Sequence, residues 1–301
     1  MTGIKQLIFF LEIILLGIWF SCLGKKFGID SSPQPIQLLI RCDDIGMCHS
    51  VNMAAQKLLD SGIPFSASVM VVCPWYQEAV EILKHYPQVS VGIHLTLNSE
   101  WQNYRWGPIC GQSGVPSLTD SLGLFFPSSA QTLAHQPKTE EIERELRKQI
   151  NRALSSGLKI DYVDTHMSTI DQKEEYRNLV KKLAQEYGLQ YSGFHGETES
   201  SSVYAVPIDQ KADTLQTIAA GLQPGKRWLL VCHIGQDSRE MQAMIDMNSF
   251  GLKQMSRHRQ AELDALLHPR FIQILSQRNI KLITYRDIMP DHHSSREESN
   301  P

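Results

Sequence analysis

The sequence predicts an α/β protein, a distorted (β/α) barrel of about seven strands. Apolar, strand-like runs alternate along the chain with segments of helical spacing, which is typical of parallel α/β architecture. No glycine-rich phosphate loop follows any of these runs, and this disfavours a two-domain dinucleotide-binding arrangement. Acidic residues or histidines stand at the ends of four runs, where parallel sheets gather their ligands.

The predicted strands are short, continuous apolar runs, as expected of strands that are buried on both faces of a parallel sheet. They cover residues 36–40, 66–72, 89–95, 160–165, 189–192, 227–232 and 280–284. Helical spacing fills most intervals, and glycine or proline marks most helix ends. The predicted helices are 50–60, which Ser50 can cap, then 75–86, 138–156, 173–187, 212–220, 256–267 and 269–277.

The chain divides into four predicted segments. Residues 1–23 are a signal peptide or an N-terminal anchor, 24–35 a linker, 36–290 the folded domain and 291–301 a disordered tail. The run from Leu7 to Leu23 is apolar apart from Glu12 and a few small residues, and lysines flank it, so we expect an exported protein, periplasmic or attached to a membrane at the cell surface. Three outcomes stay open: a lipoprotein acylated at Cys22, a retained anchor, and a cleaved signal.

The composition argues against a nucleic-acid partner and against a framework of disulfides or zinc. The net charge of −3 and the lack of a basic stripe argue against nucleic acid. The cysteines beyond Cys22 are odd in number and form no C-x-x-C pair, which favours small buried hydrophobes over disulfides or a zinc knuckle.

The most informative stretch is Arg41-Cys42-Asp43-Asp44-Ile45-Gly46, which closes the first predicted strand. Neighbouring residues of a strand are expected to point to opposite sides, so Asp43 and Asp44 can serve different roles. His94, His166 and His233 each end a later strand-like run. Taken singly, the aspartates could cap a helix and each histidine could be a core residue.

The common placement of these residues favours one site, because a barrel brings the strand ends to one rim. An Asp pair with three histidines predicts a divalent-metal centre for Zn²⁺, Mg²⁺, Mn²⁺ or Fe²⁺. The remaining aspartate and histidine would be free for general base and general acid catalysis. The residues alone do not decide which side chains bind the metal.

The connection over residues 98–136 is too long for a plain linker and carries several aromatic residues. Because it follows a strand, we expect it to cover the C-terminal rim of the barrel. Trp101, Tyr104 and Trp106 could present flat faces to sugar rings as substrate-binding residues, although an ordinary surface cluster would also explain them.

Several motifs together resemble a known family, the YdjC-like carbohydrate deacetylases of the ChbG type, over residues 36–288. They are Arg41 to Gly46, Val51-Asn52, Ser68-Val69-Met70, Gly92-Ile93-His94-Leu95-Thr96-Leu97, Asp164-Thr165-His166 and Cys232-His233-Ile234-Gly235. The resemblance implies a fold similar to the polysaccharide deacetylases and a metal-dependent hydrolase that removes acetyl groups from N-acetylated sugars.

When the site residues of the family are assigned to the matching motif positions, the resemblance implies that one divalent ion, Mg²⁺ or Zn²⁺, is held by Asp44, His94 and His166. Asp43 would be the general base for the attacking water, and His233 would lie near the leaving amine. Asp164 could orient His166 or another ligand. The chain departs from the family pattern after His166, where many members have further histidines, and at Ile234, where proline is common.

Two other functions stay open. A glycoside hydrolase would need two carboxylates about 5–9.5 Å apart and no metal, with Asp43, Asp164 and Glu197 as candidates. A non-catalytic surface protein could keep the barrel and the aromatic loop to bind carbohydrate. The intact Asp43-Asp44 pair and the three strand-end histidines favour the deacetylase.

Overall fold

The computed structural model describes residues 34–288, in which parallel strands form one curled sheet that helices surround. The strands are β1 (Ile36–Ile45), β2 (Ser66–Val69), β3 (Ser90–Leu95), β4 (Ile160–Thr165), β5 (Gln190–Tyr191), β6 (Glu197–Glu199), β7 (Arg227–Cys232) and β8 (Ile280–Ile283). The helices are α1 (His49–Asp60), α2 (Tyr76–Lys84), α3 (Gly111–Gly114), α4 (Ser129–Ala134), α5 (Thr139–Leu154), α6 (Glu174–Tyr187), α7 (Lys211–Gly221), α8 (Arg239–Gln242), α9 (Met255–Leu266) and α10 (Pro269–Gln277). Short 3₁₀ turns occupy Pro116–Leu118, His166–Ser168, Ile170–Gln172, Ile208–Gln210 and Tyr285–Ile288.

The predicted signal or anchor segment, residues 1–23, lies outside the described residues, as do most of the predicted linker and the predicted tail. Within residues 34–288, no helix combines the length and the apolar character that crossing a membrane requires.

The sheet confirms the predicted barrel and adds one strand to it. Its order is β5-β4-β3-β2-β1-β7-β6, and β8 pairs with β1 as well. In the part of the chain that the structure describes, β5 and β6 end this order without pairing with each other, so the barrel stays open. The curl brings Arg41 of β1 within 2.6 Å of the Ser192 hydroxyl just beyond β5. The additional strand, β6, lies in a segment with no apolar run.

Most predicted helices agree with the structure to within one or two residues, and one predicted cap is wrong. Cys48, not Ser50, is the N-cap of α1. Ser50 lies inside the helix, where its hydroxyl donates to the Glu240 carboxylate at 2.6 Å. The predicted cap fails because α1 begins at His49, so Ser50 is already inside its first turn.

The interior of the barrel is apolar at its base. A small cluster fills it, separate from the larger core between sheet and helices: Leu39, Tyr162, Leu229, Ile283 and Tyr285. Tyr162 stacks on Tyr285 with ring centroids 4.1 Å apart. Gly92 makes room for this stack, since a Cβ at that position would lie 2.3 Å from Cζ of Tyr162. The base is therefore closed, and the polar residues of the barrel collect toward its C-terminal mouth.

A β-bulge in β1 places the two neighbouring aspartates at that mouth. Cys42 pairs with Ala67 and Ile45 with Val69, so β1 carries one more residue than β2 over this interval. Asp44 occupies the left-handed region with φ of 66°. A bulge of this kind re-aims a side chain. The expected alternation is therefore interrupted, and both carboxylates face the same mouth instead of opposite sides of the strand.

The loop over residues 98–136 packs on the C-terminal rim, as predicted. Tyr104 donates its hydroxyl to the Met47 carbonyl at 2.5 Å, and Trp101 Nε1 donates to the Met47 sulfur at 3.2 Å. Since Met47 follows directly after the bulge of β1, these contacts fix the loop over the mouth of the barrel.

The loop over residues 234–253 joins the first one. The Gln102 amide donates to the Ile245 carbonyl at 2.8 Å, and the Met247 amide donates to the Glu100 carbonyl at 2.8 Å. These bonds have the form of a short antiparallel bridge. The two loops therefore make one continuous wall along this side of the mouth.

Candidate metal centre

Three buried ligand atoms form a nearly equilateral triangle at the mouth of the barrel. Asp44 Oδ1 lies 3.3 Å from His94 Nε2 and 3.3 Å from His166 Nδ1. The two imidazole nitrogens are 3.2 Å apart. A tetrahedral ion with bonds of about 2.1 Å spaces its ligands about 3.4 Å apart. The triangle therefore has the dimensions of a metal site. Its three residues are the ones that the sequence motifs predict as metal ligands.

The charge of the cluster also suits a cation. Asp44 Oδ1 is buried and has no hydrogen-bond partner among the described residues. Burial lowers the pKa of His94, but Asp164 and Asp43 outweigh it and raise that pKa to about 10. Burial likewise lowers the pKa of His166, whereas Glu100 and Asp44 raise it to about 9. The surrounding carboxylates thus favour positive charge at this point, and the donor set fits a divalent ion.

Each histidine is oriented by a second carboxylate. His94 Nδ1 lies 2.9 Å from Asp164 Oδ1, and His166 Nε2 lies 3.0 Å from Glu100 Oε2. A carboxylate that accepts one N–H of an imidazole fixes the tautomer and leaves the other nitrogen free for a metal. Asp164 thus orients His94 and not His166. The sequence does not predict Glu100 as a site residue. Glu100 is one acidic residue in the loop that follows the strand ending in His94, and nothing else in the sequence distinguishes it.

Arg41 holds Asp43 beside the triangle. Its Nε and Nη2 atoms lie 2.7 Å from Oδ1 and Oδ2 of Asp43, and Nε is also 2.7 Å from Asp164 Oδ2. Asp43, His94 and Asp164 form a second group whose ligand atoms lie within 4.8 Å of one another. The Arg41 guanidinium already supplies the positive charge between its two carboxylates. Asp43 is therefore fixed in orientation beside the triangle.

His233 borders the same mouth and is held through its backbone. Its amide donates to Glu262 Oε2 at 2.7 Å, and Glu262 Oε1 lies 3.0 Å from Lys211 Nζ. Burial lowers the pKa of the His233 imidazole despite the nearby Asp44 and Asp43 carboxylates. The ring is therefore neutral at pH 7, and its buried Nδ1 has no partner among the described residues.

Arg259 on α9 is a second residue that the sequence analysis missed. Its Nη2 lies 2.5 Å from Asp44 Oδ2. The two oxygens of Asp44 therefore differ, since Oδ2 is bound to the guanidinium and Oδ1 faces the two histidines. Nothing in the sequence around Arg259 marks it, because helix α9 lies far from β1 along the chain.

Two of the three predicted substrate-binding rings are covered by protein. Trp101 is 1% exposed and Trp106 is 3% exposed. The Trp106 Nε1 atom donates to the Asn98 carbonyl at 2.7 Å. Such coverage is typical of core residues and not of an open platform for a sugar. Tyr104 is partly exposed, so of the three it has the most open face.

Comparisons with known proteins agree with the motifs. Residues 37–277 match the family model described as YdjC-like protein. A carbohydrate deacetylase of Brevibacillus brevis is 34% identical over 155 residues, which cover 50% of this chain and 57% of that protein. One of Geobacillus stearothermophilus is 25% identical over 274 residues, 84% of this chain and 98% of that protein. The crystal structure of a candidate cellobiose-phosphate cleavage protein of Enterococcus faecalis shares the fold, with 20% identity, a TM-score of 0.70 and coverage of 85% of this chain and 100% of that one.

Proposed function

Because this chain belongs to the family of YdjC-like proteins, we propose that it is a metal-dependent carbohydrate deacetylase that removes acetyl groups from N-acetylated sugars or oligosaccharides. One observation carries the proposal: Asp44, His94 and His166 present three ligand atoms 3.2–3.3 Å apart beside a fourth residue, Asp43, that Arg41 holds in place to act as a base. The deacetylase relatives support the choice of substrate class.

A divalent ion, Zn²⁺ or Mg²⁺, would be held by Asp44, His94 and His166. When bound, such an ion polarises an acyl carbonyl and lowers the pKa of water. Asp164 and Glu100 keep the two imidazoles turned toward it. The two imidazole donors favour Zn²⁺, whereas a carboxylate also suits Mg²⁺.

The remaining chemistry falls to residues of the chain. Asp43, held by Arg41, accepts the proton of the water that attacks the acetyl carbon. The C–N bond then breaks, and the departing nitrogen takes up the proton that Asp43 received from the water. His233, whose ring starts out neutral because burial lowers its pKa, binds this proton and passes it on to the nitrogen. The products are acetate and a free amino sugar.

The cell surface or the periplasm is the proposed place of action. The apolar run between Leu7 and Leu23, flanked by lysines, supports export. The same run supports attachment to a membrane through the N-terminus or through Cys22.

Acetate release from a panel of N-acetylated oligosaccharides, coupled to metal analysis of the purified chain, tests the proposal. We expect one bound divalent ion per chain, release of acetate, and loss of that release after treatment with a chelator. Adding Zn²⁺ or Mg²⁺ back should restore it. Activity that survives complete metal removal would refute metal dependence. Cleavage of glycosidic bonds without acetate would favour a glycoside hydrolase, and binding without turnover a carbohydrate-binding protein.

A further inference from the structure

Arg259 is buried beside the metal centre and rigidly placed. It is 3% exposed and lies on α9, with its backbone carbonyl accepting the Gly235 amide at 3.3 Å. Gly235 packs so closely that a Cβ there would lie 3.0 Å from Cβ of Arg259. The guanidinium carbon is 6.0 Å from the centre of the Trp101 ring. The side chain is therefore confined between α9 and the loop wall.

Only one of the three guanidinium nitrogens of Arg259 has a hydrogen-bond partner among the described residues. Nη2 is bound to Asp44, but Nε and Nη1 are buried and have no partner among the described residues. Leaving a buried charged donor unpaired costs free energy. Arg41 offers a contrast within the same mouth, because its Nε, Nη1 and Nη2 all donate to Asp43 or Ser192. Arg41 is thus satisfied by the fold, whereas Arg259 has donors left over.

The surroundings indicate which ligand would satisfy these donors. Two more buried atoms at the mouth of the barrel have no partner among the described residues, Asp44 Oδ1 and His233 Nδ1. Asp44, one corner of the triangle, is bound to Arg259 Nη2, and the Tyr204 ring packs on the His233 ring with centroids 5.1 Å apart. Asp44 occupies only Nη2 of Arg259, so Nε and Nη1 remain available to an acceptor that a ligand brings. A planar cation of this kind suits an oxygen that carries or develops negative charge.

We propose that Arg259 is a further catalytic residue, whose free Nε and Nη1 donate to the acyl oxygen of the substrate and then to the carboxylate of the acetate product. This inference rests on the proposed deacetylase function. During attack by water, the carbonyl oxygen gains the electron pair of the C=O π bond, and Arg259 stabilises that charge. When the C–N bond breaks, the electron pair returns and acetate is left bound to the same donors.

The test compares Arg259→Gln with the wild-type chain, both at saturating Zn²⁺ or Mg²⁺. Arg257→Gln is the matched control, because Arg257 is an exposed arginine on the same helix. Three quantities are measured: kcat for acetate release, the affinity for sodium acetate by titration calorimetry, and the bound metal per chain. We expect kcat to fall about 10²–10³-fold, as for the loss of an oxyanion donor. Acetate affinity should fall about 10- to 100-fold, as for lost hydrogen bonds to a charged group.

Several outcomes would overturn the inference. Unchanged acetate affinity, or a kcat at saturating metal equal to the wild-type value, would mean that Arg259 acts only through Asp44. Arg259→Lys covers the case in which the Gln variant does not fold. It keeps the charge near Asp44 but lacks the planar fork, so we expect weakened acetate binding, and normal binding would refute the assignment. A wild-type chain that binds acetate but releases none from any sugar would refute the deacetylase function and not this site.

Discussion

Glu100 Oε2 lies 3.0 Å from Nε2 of His166, and this contact fixes a loop residue to a histidine of the candidate metal centre. The carboxylate sets the tautomer and the ring orientation of the imidazole. Glu100→Gln removes the charge while keeping the size of the side chain. We expect the affinity for the divalent ion to fall about 10- to 100-fold, as for other partners of metal-binding histidines. Metal titration of the apoprotein measures this directly.

Glu140→Gln is the control for Glu100→Gln, since Glu140 is an exposed carboxylate on α5 with no contact to the centre. Its metal affinity should equal that of the wild type. If Glu100→Gln also binds the ion as tightly as the wild type, the carboxylate of Glu100 does not support the metal centre.

The two neighbouring aspartates should respond differently to the same substitution. Asp43→Asn keeps the size and part of the hydrogen bonding to Arg41 but removes the basic oxygen. Metal content should persist while acetate release falls about 10²–10⁴-fold, the loss expected without a general base. Asp44→Asn should weaken metal binding as well as activity. Metal content and initial rates are measured on the same preparations.

The reverse pattern, with metal lost in Asp43→Asn and kept in Asp44→Asn, would show that the two roles are exchanged. Full activity in both variants would rule out the deacetylase site altogether.

Lys211 is expected to be essential for stability. Its side chain is 0% exposed, and Nζ donates to the carbonyls of Val203 and Tyr204 and to Glu262. Lys211→Met leaves Glu262 as a buried charge without its partner, which costs about 3–5 kcal/mol of unfolding free energy. Urea denaturation measures the change. Lys57→Met, at an exposed site on α1, should stay within about 0.5 kcal/mol of the wild type.

An equal midpoint for the Lys211 and Lys57 variants would mean that the buried pair contributes nothing to stability.

Gly92 should not tolerate alanine. The added Cβ would lie 2.3 Å from Tyr162, and overpacking of a core costs about 1–3 kcal/mol. Thermal and urea unfolding of Gly92→Ala measure the loss. Gly221→Ala is the control, because nothing lies within 4 Å of a Cβ there. The double variant with Tyr162→Leu should lose less stability than the sum of the single variants, and strict additivity would show that the two residues do not clash.

The sequence predicts the sheet well because buried parallel strands are continuous apolar runs. The predicted strands 160–165 and 227–232 coincide with β4 and β7. The strand β6 carries no such run and forms only because the edge of β7 is available to it. Whether β6 forms depends on its tertiary contacts, and the local sequence pattern carries no information about those contacts.

Of the site residues, those at the ends of strands can be predicted from the sequence. Those that loops and helices contribute cannot. Asp44, His94 and His166 meet because the barrel topology brings strand ends together. Glu100 and Arg259 arrive from a loop and a helix, so their positions depend on how those elements pack. The burial of Trp101 and Trp106 also follows from packing, since an aromatic residue in a loop gives no sign of which face is covered.

The bulge at Asp44 has an evolutionary consequence. Without the additional residue, position 44 would continue the alternation of β1 and turn toward the helices, as Cys42 does. Deleting one residue between Cys42 and Ile45 would then withdraw a carboxylate from the centre while the order of the strands stayed the same. A lineage with this fold could thus lose the candidate metal centre through a single in-frame codon deletion.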